Sequence, residues 1–535
     1  MRVILNHINL NISISISIQI EFTKTMTNPI TILSNRIFCL KPRIAENSYI
    51  RLLDLKSKPY FIVASVEVGN TTTKCILTAT NLEDGRTSLV NKTVKMTRNV
   101  RSPRPEEEIF GKTLTGVSLT KDSVAEMVTE TLLESITNAN LDIKEDLHFV
   151  VRSTGVVAGF DSPEEVGHFI KALADGCLMA GVPPNKMIPA LSIDNVPQRF
   201  KKHSLIEKIV FNGAVGGVLP PMGASGLEVV ANEMEGELAT AGIKEGAKSA
   251  GIDFRNPCLS IDFGTTLDGR ITTSDLPYAH TIGNFAGYAG AIPDALIQGT
   301  HLVDEKVGTA LDLFNNKPVG LFTWMRRGKV IKEYAAKIHE LITIEVVPEN
   351  VSKYGSVPVN PRAAKEIGVT LIGCDVGVNG SDFEKLLTIG GEIYTKYGLK
   401  TLFAVVDVVC SDMATRLVKV AIDADLITER SAIGFTGRAA ITGCKPKLIL
   451  SNIKKLGLYD APENHIAFVD DGLARGAAVM ARCMNSMGSP KNPLGGCIGG
   501  KCVLGGRMKL QGGQIDENEM QKLTAKGSIM NKSMS

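Results

Sequence analysis

Two short segments, far apart in the chain, carry residues suited to phosphate chemistry. The first is Val66-Glu67-Val68-Gly69-Asn70-Thr71-Thr72-Thr73-Lys74, and the second is Ile261-Asp262-Phe263-Gly264-Thr265-Thr266-Leu267-Asp268-Gly269. Each sets an acid at the end of an apolar run, then a glycine, then hydroxyl or amide side chains. In a strand–turn–strand hairpin of this kind the acid orients a hydrated Mg²⁺, and the glycine lets backbone N–H groups approach an anion. The hydroxyls add donors to phosphate oxygens. One copy is a common turn. Two copies imply two halves, each giving one phosphate loop to a shared cleft.

Other constellations carry two readings each. Glu233 and Glu237 lie four apart on one helical face, either solvated or positioning an attacking water. Arg152, with Ser153-Thr154-Gly155, either faces the cleft or simply ends a strand. Asp375–Gly380 imitates a phosphate loop, but it follows the Val369–Cys374 strand and contains Asn379-Gly380, a standard hairpin turn. Cys497 and Cys502 flank Ile-Gly-Gly-Lys in a tail, where a redox or metal role is the less favoured reading. The methionines within 482–488 read as core.

These residues need elements to hold them. Phe61–Val68 is a nearly unbroken apolar run, the mark of a strand buried on both faces. Cys75–Thr80 and Ser88–Met96 continue as strands around an Asp84-Gly85 turn. Arg98–Gly116 is a surface excursion. Lys121–Asn138 places Val124, Met127, Val128 and Leu132 on one helical face. Leu147–Arg152 is a strand, Ser162-Pro163-Glu164-Glu165 starts a helix, and Leu227–Gly251 is a long helix. The second half restarts with a strand at Cys258–Asp262 and its return at Gly269–Thr273. A Gly-rich stretch at Gly283–Gly290, a helix at Ile292–Gly299, a strand at Leu402–Val409 and a helix at Met413–Asp423 follow. Ile433–Arg438 is a strand and turn, Ile466–Val469 the last strand, and Asp471–Met484 an Ala-rich helix. Alternating strands and helices in both halves give an α/β architecture.

The 535 residues are 44% hydrophobic and 21% charged, an ordinary globular composition with room for several domains. A net charge of +3 and 5% aromatic residues argue against a nucleic-acid partner. Ten cysteines stand singly, and no Cys-x-x-Cys or His-rich tract is present. Buried thiols in a reducing cytoplasm are the expectation. No apolar run reaches the roughly 20 residues that span a bilayer, so no membrane is expected. Residues 1–57 contain a low-complexity Ile/Ser alternation without signal-peptide features. They are expected to be a disordered or loosely attached extension, with Met26 or a later codon as the start. Residues 487–535 are expected to be a Gly/Lys-rich tail that frays beyond Gly512.

Five elements in this order resemble the superfamily of actin, sugar and acetate kinases, and heat-shock chaperone ATPases. They are the loop Glu67–Lys74, a connecting helix over Val230–Gly242, the loop Asp262–Gly269, an adenosine segment Gly434-Phe435-Thr436-Gly437-Arg438, and a last connecting helix over Gly472–Ala478. The first loop resembles the activator branch, whose ATPases repair or reductively activate radical, corrinoid and dehydratase enzymes. At closer range Asp146–Pro163, Ala231–Lys248 and Arg255–Thr266 resemble the methanogenesis marker protein 14 family.

The resemblance implies a two-domain actin-like ATPase fold, built of duplicated ribonuclease-H-like domains over 58–256 and 257–486, with the nucleotide between them. It implies ATP or ADP with Mg²⁺ held through water by Glu67 and Asp262. The phosphates fall to Gly69, Asn70, Thr71, Thr72, Thr73, Lys74, Gly264, Thr265 and Thr266, and the nucleoside to Gly434, Thr436, Gly437 and Arg438. Glu233 or Glu237 would position the attacking water. It also implies a protein client, namely a methanogenic metalloenzyme such as a corrinoid methyltransferase or methyl-coenzyme M reductase, in the archaeal cytoplasm. The alternatives are a non-catalytic nucleotide-binding subunit of a methanogenic complex and a small-molecule kinase, although no sugar-kinase acceptor motif is present. The chain departs from the superfamily in having Glu67 where Asp is usual and Thr-Gly-Arg in place of a Gly-Gly pair. It also lacks the cysteine pairs of iron–sulfur activators.

Overall fold

The computed structural model describes residues 41–484 apart from 56–57, 115, 157–159, 161–162, 188–226, 275–280, 304–312, 314–317 and 367. The described chain opens with a short strand, β1 (Arg43–Ala45). The first domain is then built on β2 (Tyr60–Val68), β3 (Thr72–Asn81), β4 (Thr87–Met96) and β5 (Phe149–Thr154), in the order β4-β3-β2-β5. The first three strands form an antiparallel meander, and β5 lies parallel to β2. Helices α1 (Lys121–Asn138) and α2 (Pro163–Met179) cover one face. A capping box at Thr120 and Ser123 starts α1, satisfying two end donors.

A long helix, α3 (Leu227–Ser249), leads to the second domain. Its sheet uses β6 (Cys258–Phe263), β7 (Leu267–Thr272), β8 (Thr281–Gly287), β9 (Ile342–Val346), β10 (Thr370–Val376), β11 (Ala432–Thr436) and β12 (Ile466–Val469). With β1 at its edge, the order is β1-β12-β11-β6-β7-β8-β10-β9. The heart of it, β8-β7-β6-β11, repeats the first sheet: an antiparallel three-strand meander with the next strand parallel to the first. Both acid–glycine loops occupy the same place, the turn between the first two strands of each meander. This duplicated α/β plan is the one expected of a two-domain actin-like fold.

The connecting helices cross between the domains. The C-terminal half of α3 packs Ile243 and Ala247 on the second sheet. The last helix, α8 (Gly472–Met484), returns to lay Ala477 and Ala481 on Phe61, Val63 and Phe149 of the first. Glycines permit the crossing. A Cβ on Gly242 would stand 1.7 Å from the Gly472 carbonyl oxygen, and one on Gly476 would stand 1.9 Å from that of Leu238.

Helices α4 (Ala291–Gln298), α5 (Phe383–Tyr397), α6 (Leu399–Asp423) and α7 (Lys445–Leu456) lie in the second domain, together with a helix over Leu321–His339. Here one expectation is corrected. Leu402–Val409 is not a strand but the first half of α6, a continuous helix running to Asp423. The run is buried on nearly every side, so its apolar pattern has no period to distinguish helix from strand. Asp375 likewise does not lead into a hairpin. Its carboxylate accepts the backbone N–H groups of Asn379 and Gly380 at 2.8 and 3.1 Å, turning β10 into α5.

The expected 1–57 extension is corrected in its last part. Residues 43–45 pair with β12, and Leu55 lies in the first core. Residues 1–40 and the tail from 485, with Cys497 and Cys502, lie outside the described residues. Among the described residues six cysteines are buried free thiols, and no helix is long and apolar enough to cross a membrane.

Candidate functional site

The two loops and the turns after β11 and β12 converge on a cavity of about 220 Å³ between the domains. In the first loop Gly69 closes a tight turn, its N–H donating to the Thr72 carbonyl at 3.0 Å. The hairpin register puts Lys74 directly opposite Glu67, and its ammonium lies 2.9 Å from the Glu67 carboxylate. Burial opposes the lysine's charge, but Glu67 more than restores it, and its pKa is raised. Asn70 braces the loop from below, donating to the Gly155 carbonyl at 3.3 Å and accepting the Leu114 N–H at 2.9 Å.

The second loop has the same shape and the opposite electrostatics. The register puts Asp268 opposite Asp262. Burial first, then the nearby Glu67 and Asp268 charges, push the Asp262 carboxyl up to about 7. Burial does the same to Asp268, also to about 7, and its Oδ2 is buried with no hydrogen-bond partner among the described residues. The loop backbone is fixed by α4: Gly290 donates to the Gly264 carbonyl at 2.6 Å, and Ala291 to that of Thr265 at 3.1 Å. The loops meet where Thr71 Oγ1 and Thr265 Oγ1 lie 2.9 Å apart. Thr71 also bonds Asp294 on α4, whose carboxyl burial raises to about 6.

Two glycines keep the floor open. Gly437 has φ +83°, and a Cβ there would stand 2.4 Å from the Phe263 carbonyl oxygen and 2.5 Å from Asp262 Oδ1. A Cβ on Gly155 would stand 3.2 Å from Glu235 Oε2 and 3.3 Å from Thr266 Oγ1. Thr436 ties the β11 and β12 turns together, donating to the Val469 carbonyl at 2.8 Å and accepting the Gly472 N–H at 3.0 Å. Arg438 is half-buried on the cleft wall. At the far end the Asp407–Lys445 ion pair, at 2.9 Å, sits beside Phe403, Val406 and Ile441.

Of the candidate residues, Glu67, Gly69, Asn70, Thr71, Thr72, Lys74, Asp262, Gly264, Thr265, Thr266, Thr436, Gly437 and Arg438 line this cavity, as does Gly155. Two do not. Thr73 alternates to the other face of β3, where its hydroxyl meets Thr97 Oγ1 at 3.1 Å and Met127 Sδ at 3.2 Å in the core. Gly434 faces away too, and a Cβ on it would strike Ile243 and Phe254. Glu233 and Glu237 sit on α3, but their side chains lie outside the described residues.

The acid that the helix does present is Glu235, between those two. It is 7% exposed, lines the cavity, and makes no hydrogen bond or ion pair among the described residues. Burial first, then Asp268, Glu67 and Asp262, hold its carboxyl well above the usual range. Spacing of four selects Glu233 with Glu237 and passes over Glu235. Nothing local singles it out: a Cβ on its neighbour Gly236 would stand 3.5 Å from Asp268 Oδ1, an ordinary contact. Asp268, Asp294, Asp407, Asp470 and Asp471 also line the cavity and were not anticipated.

The set fits a polyanion accompanied by a cation. Glycine-cleared floors, N–H-bearing turns and Lys74 and Arg438 suit the anion. Asp262, unpaired among the described residues, suits a cation.

The chain belongs to the family described as "Uncharacterized protein conserved in archaea (DUF2114)", which it matches over residues 60–511. It is 55% identical over 479 residues to an uncharacterized protein of Methanocaldococcus jannaschii, covering 89% of this chain and 96% of that one. It is 53% identical over 513 residues to one of Methanothermobacter thermautotrophicus, covering 93% and 94%. Among solved structures it aligns with a reductive activator for a corrinoid, iron–sulfur protein at TM-score 0.31 and 10% identity, spanning 79% of this chain and 60% of that one. A PPX-GPPA enzyme of Aquifex aeolicus aligns at TM-score 0.23 and 12% identity, spanning 65% of this chain and 93% of that one.

Proposed function

We propose that the cleft binds ATP or ADP with Mg²⁺ and that the chain hydrolyses ATP. The observation that carries this reading is the convergence of two duplicated phosphate-type loops on one cavity that also holds the unpaired acids Asp262 and Glu235. Asp262 holds the cation through water. Gly69, Thr71, Thr72, Lys74, Gly264, Thr265 and Thr266 hold the phosphates, and Thr436, Gly437 and Arg438 border the nucleoside. When bound, Mg²⁺ offsets charge on the phosphate oxygens. Glu235, lining the cavity without a partner among the described residues, is placed to orient a water and accept its proton.

The output is domain movement delivered to a protein client. The methanogen relatives and the likeness to methanogenesis marker protein 14 support a methanogenic metalloenzyme in that place, such as a corrinoid methyltransferase or methyl-coenzyme M reductase. A second reading, nucleotide binding without turnover, is favoured by Lys74, which already neutralises Glu67. The test is phosphate release from Mg²⁺·ATP by the purified chain with no added metabolite. Release abolished in Glu235→Gln, with ADP affinity retained, supports hydrolysis. Tight binding with no release, alone or with either client, moves the chain to the second reading.

A further inference from the structure

Residues 43–55 touch both domains within a very short span. Ala45 ends β1, which is paired in parallel with β12 at the edge of the second sheet, and the Asp470 N–H donates to the Ala45 carbonyl at 3.2 Å. Three residues later the segment is fastened to the first sheet. The Leu89 N–H donates to the Ser48 carbonyl at 2.7 Å, the Ile50 N–H donates to the Leu89 carbonyl at 2.9 Å, and Ser48 Oγ lies 3.1 Å from Ser88 Oγ. Leu89 belongs to β4, the edge strand of that sheet. Each end also has an apolar anchor, Ala45 among Ile243, Phe254 and Val469, and Leu55 in the first core.

Of the two residues between the anchors, Asn47 reaches the cleft. Asn47 donates to Asp470 at 2.8 Å and to Asp471 at 2.9 Å, and both acids line the cavity. Arg475, at the start of α8, donates to the Glu46 carbonyl at 2.9 Å and pairs with Glu245 on α3 at 2.9 Å. Beside them Lys92 of β4 crosses from the first domain to Asp471 at 2.7 Å.

We infer that residues 43–50 form an interdomain strap that limits how far the cleft opens, with Asn47 coupling the strap to Asp470 and Asp471 and Lys92 reinforcing it from the first sheet to Asp471. From Ala45 to Ser48 is three Cα steps, about 11 Å at full extension. Hinge motion about the α3–α8 crossing therefore cannot part these two anchor points beyond that reach without unzipping one of them. The first-sheet anchor releases first, because two backbone hydrogen bonds hold it against a strand ladder at the other end. The strap lies ahead of residues 60–511, the family-matched span, and its role does not depend on what occupies the cleft.

Hydrogen exchange on the full-length protein, without nucleotide, tests this. Ile50→Pro removes the donor to Leu89, and Asn47→Ala combined with Lys92→Ala removes the side-chain coupling without touching the backbone. In both, exchange at 69–74 and 470–474 should rise by about tenfold or more while 370–376, on the far side of the second sheet, stays as in the parent. Unchanged exchange at 69–74 and 470–474 in both variants overturns the strap. So does equal acceleration at 370–376, which would mean that the whole fold had loosened.

Discussion

The two loops share a shape and differ in charge pairing. In the first hairpin an acid faces a lysine, Glu67 against Lys74; in the second an acid faces an acid, Asp262 against Asp268. Opposite charges across a strand pair contribute roughly 0.2–1 kcal/mol, and like charges directly opposite destabilise. The first loop is therefore self-neutralised and its ammonium is fixed near the cleft. The second retains uncompensated acid in a buried place. One half is thus suited to an anion and the other to a cation, and duplicated backbones have been given complementary work.

The comparison breaks most sharply at Asp262. Asp262→Asn should weaken Mg²⁺-dependent nucleotide binding by about 100-fold or more, while Glu67→Gln should cost no more than about tenfold, because Glu67 already has Lys74 as partner. Titration calorimetry reads both, and equal losses would erase the distinction between the loops.

Gly437→Ala comes next. It places a methyl group against the Phe263 carbonyl and Asp262 at a φ of +83°. Stability should fall by about 1–3 kcal/mol, with nucleotide affinity lost alongside. A neutral effect on thermal unfolding would show that the turn relaxes and does not position Asp262.

The acid pair should also be visible as a pH dependence. Asp262 and Asp268 titrate near 7 when folded, above the ordinary Asp value, so the folded state keeps protons that the unfolded state has released. Their contribution to stability is full below about pH 4 and is lost as pH rises toward and through 7. Mg²⁺ should oppose that loss, and Mg²⁺-dependent nucleotide affinity should fall as pH drops from 8 to 6. Denaturant melts across pH with and without Mg²⁺ check the sign, and stability rising from pH 5 to 7 without Mg²⁺, once other groups are subtracted using Asp268→Asn, would reverse it.

The smallest effect separates the facing residues themselves. Without metal, Asp268→Asn should raise the melting temperature and Lys74→Met should lower it, each by about 2–4 °C for roughly 1 kcal/mol. Shifts of the same sign would mean that the cross-strand charges are not what distinguishes the hairpins.

Much of this was legible in sequence because its signals are local. Acid, glycine and threonines at the end of an apolar run mark each loop, and the small residues of Gly472–Ala478 mark a close helix crossing. What escaped depends on partners distant in the chain. Glu235 is functional by facing inward, and Glu-x-Glu-x-Glu does not say which member does so. Thr73 sits in a run of three threonines, of which strand alternation turns the last into the core. Arg43–Ala45 is too short to have a period and gains its place only by pairing with β12. Asp407 and Lys445 meet across two helices whose sequences carry no trace of each other.

The most direct test of the division between the halves is calorimetry of ATP binding with and without Mg²⁺, run on the parent protein, Asp262→Asn and Lys74→Met. The parent should bind tightly only with Mg²⁺. Asp262→Asn should lose that Mg²⁺ dependence, and Lys74→Met should keep it while binding more weakly at every Mg²⁺ concentration. An unchanged Mg²⁺ dependence in Asp262→Asn, or no binding of nucleotide to the folded parent, would contradict the account.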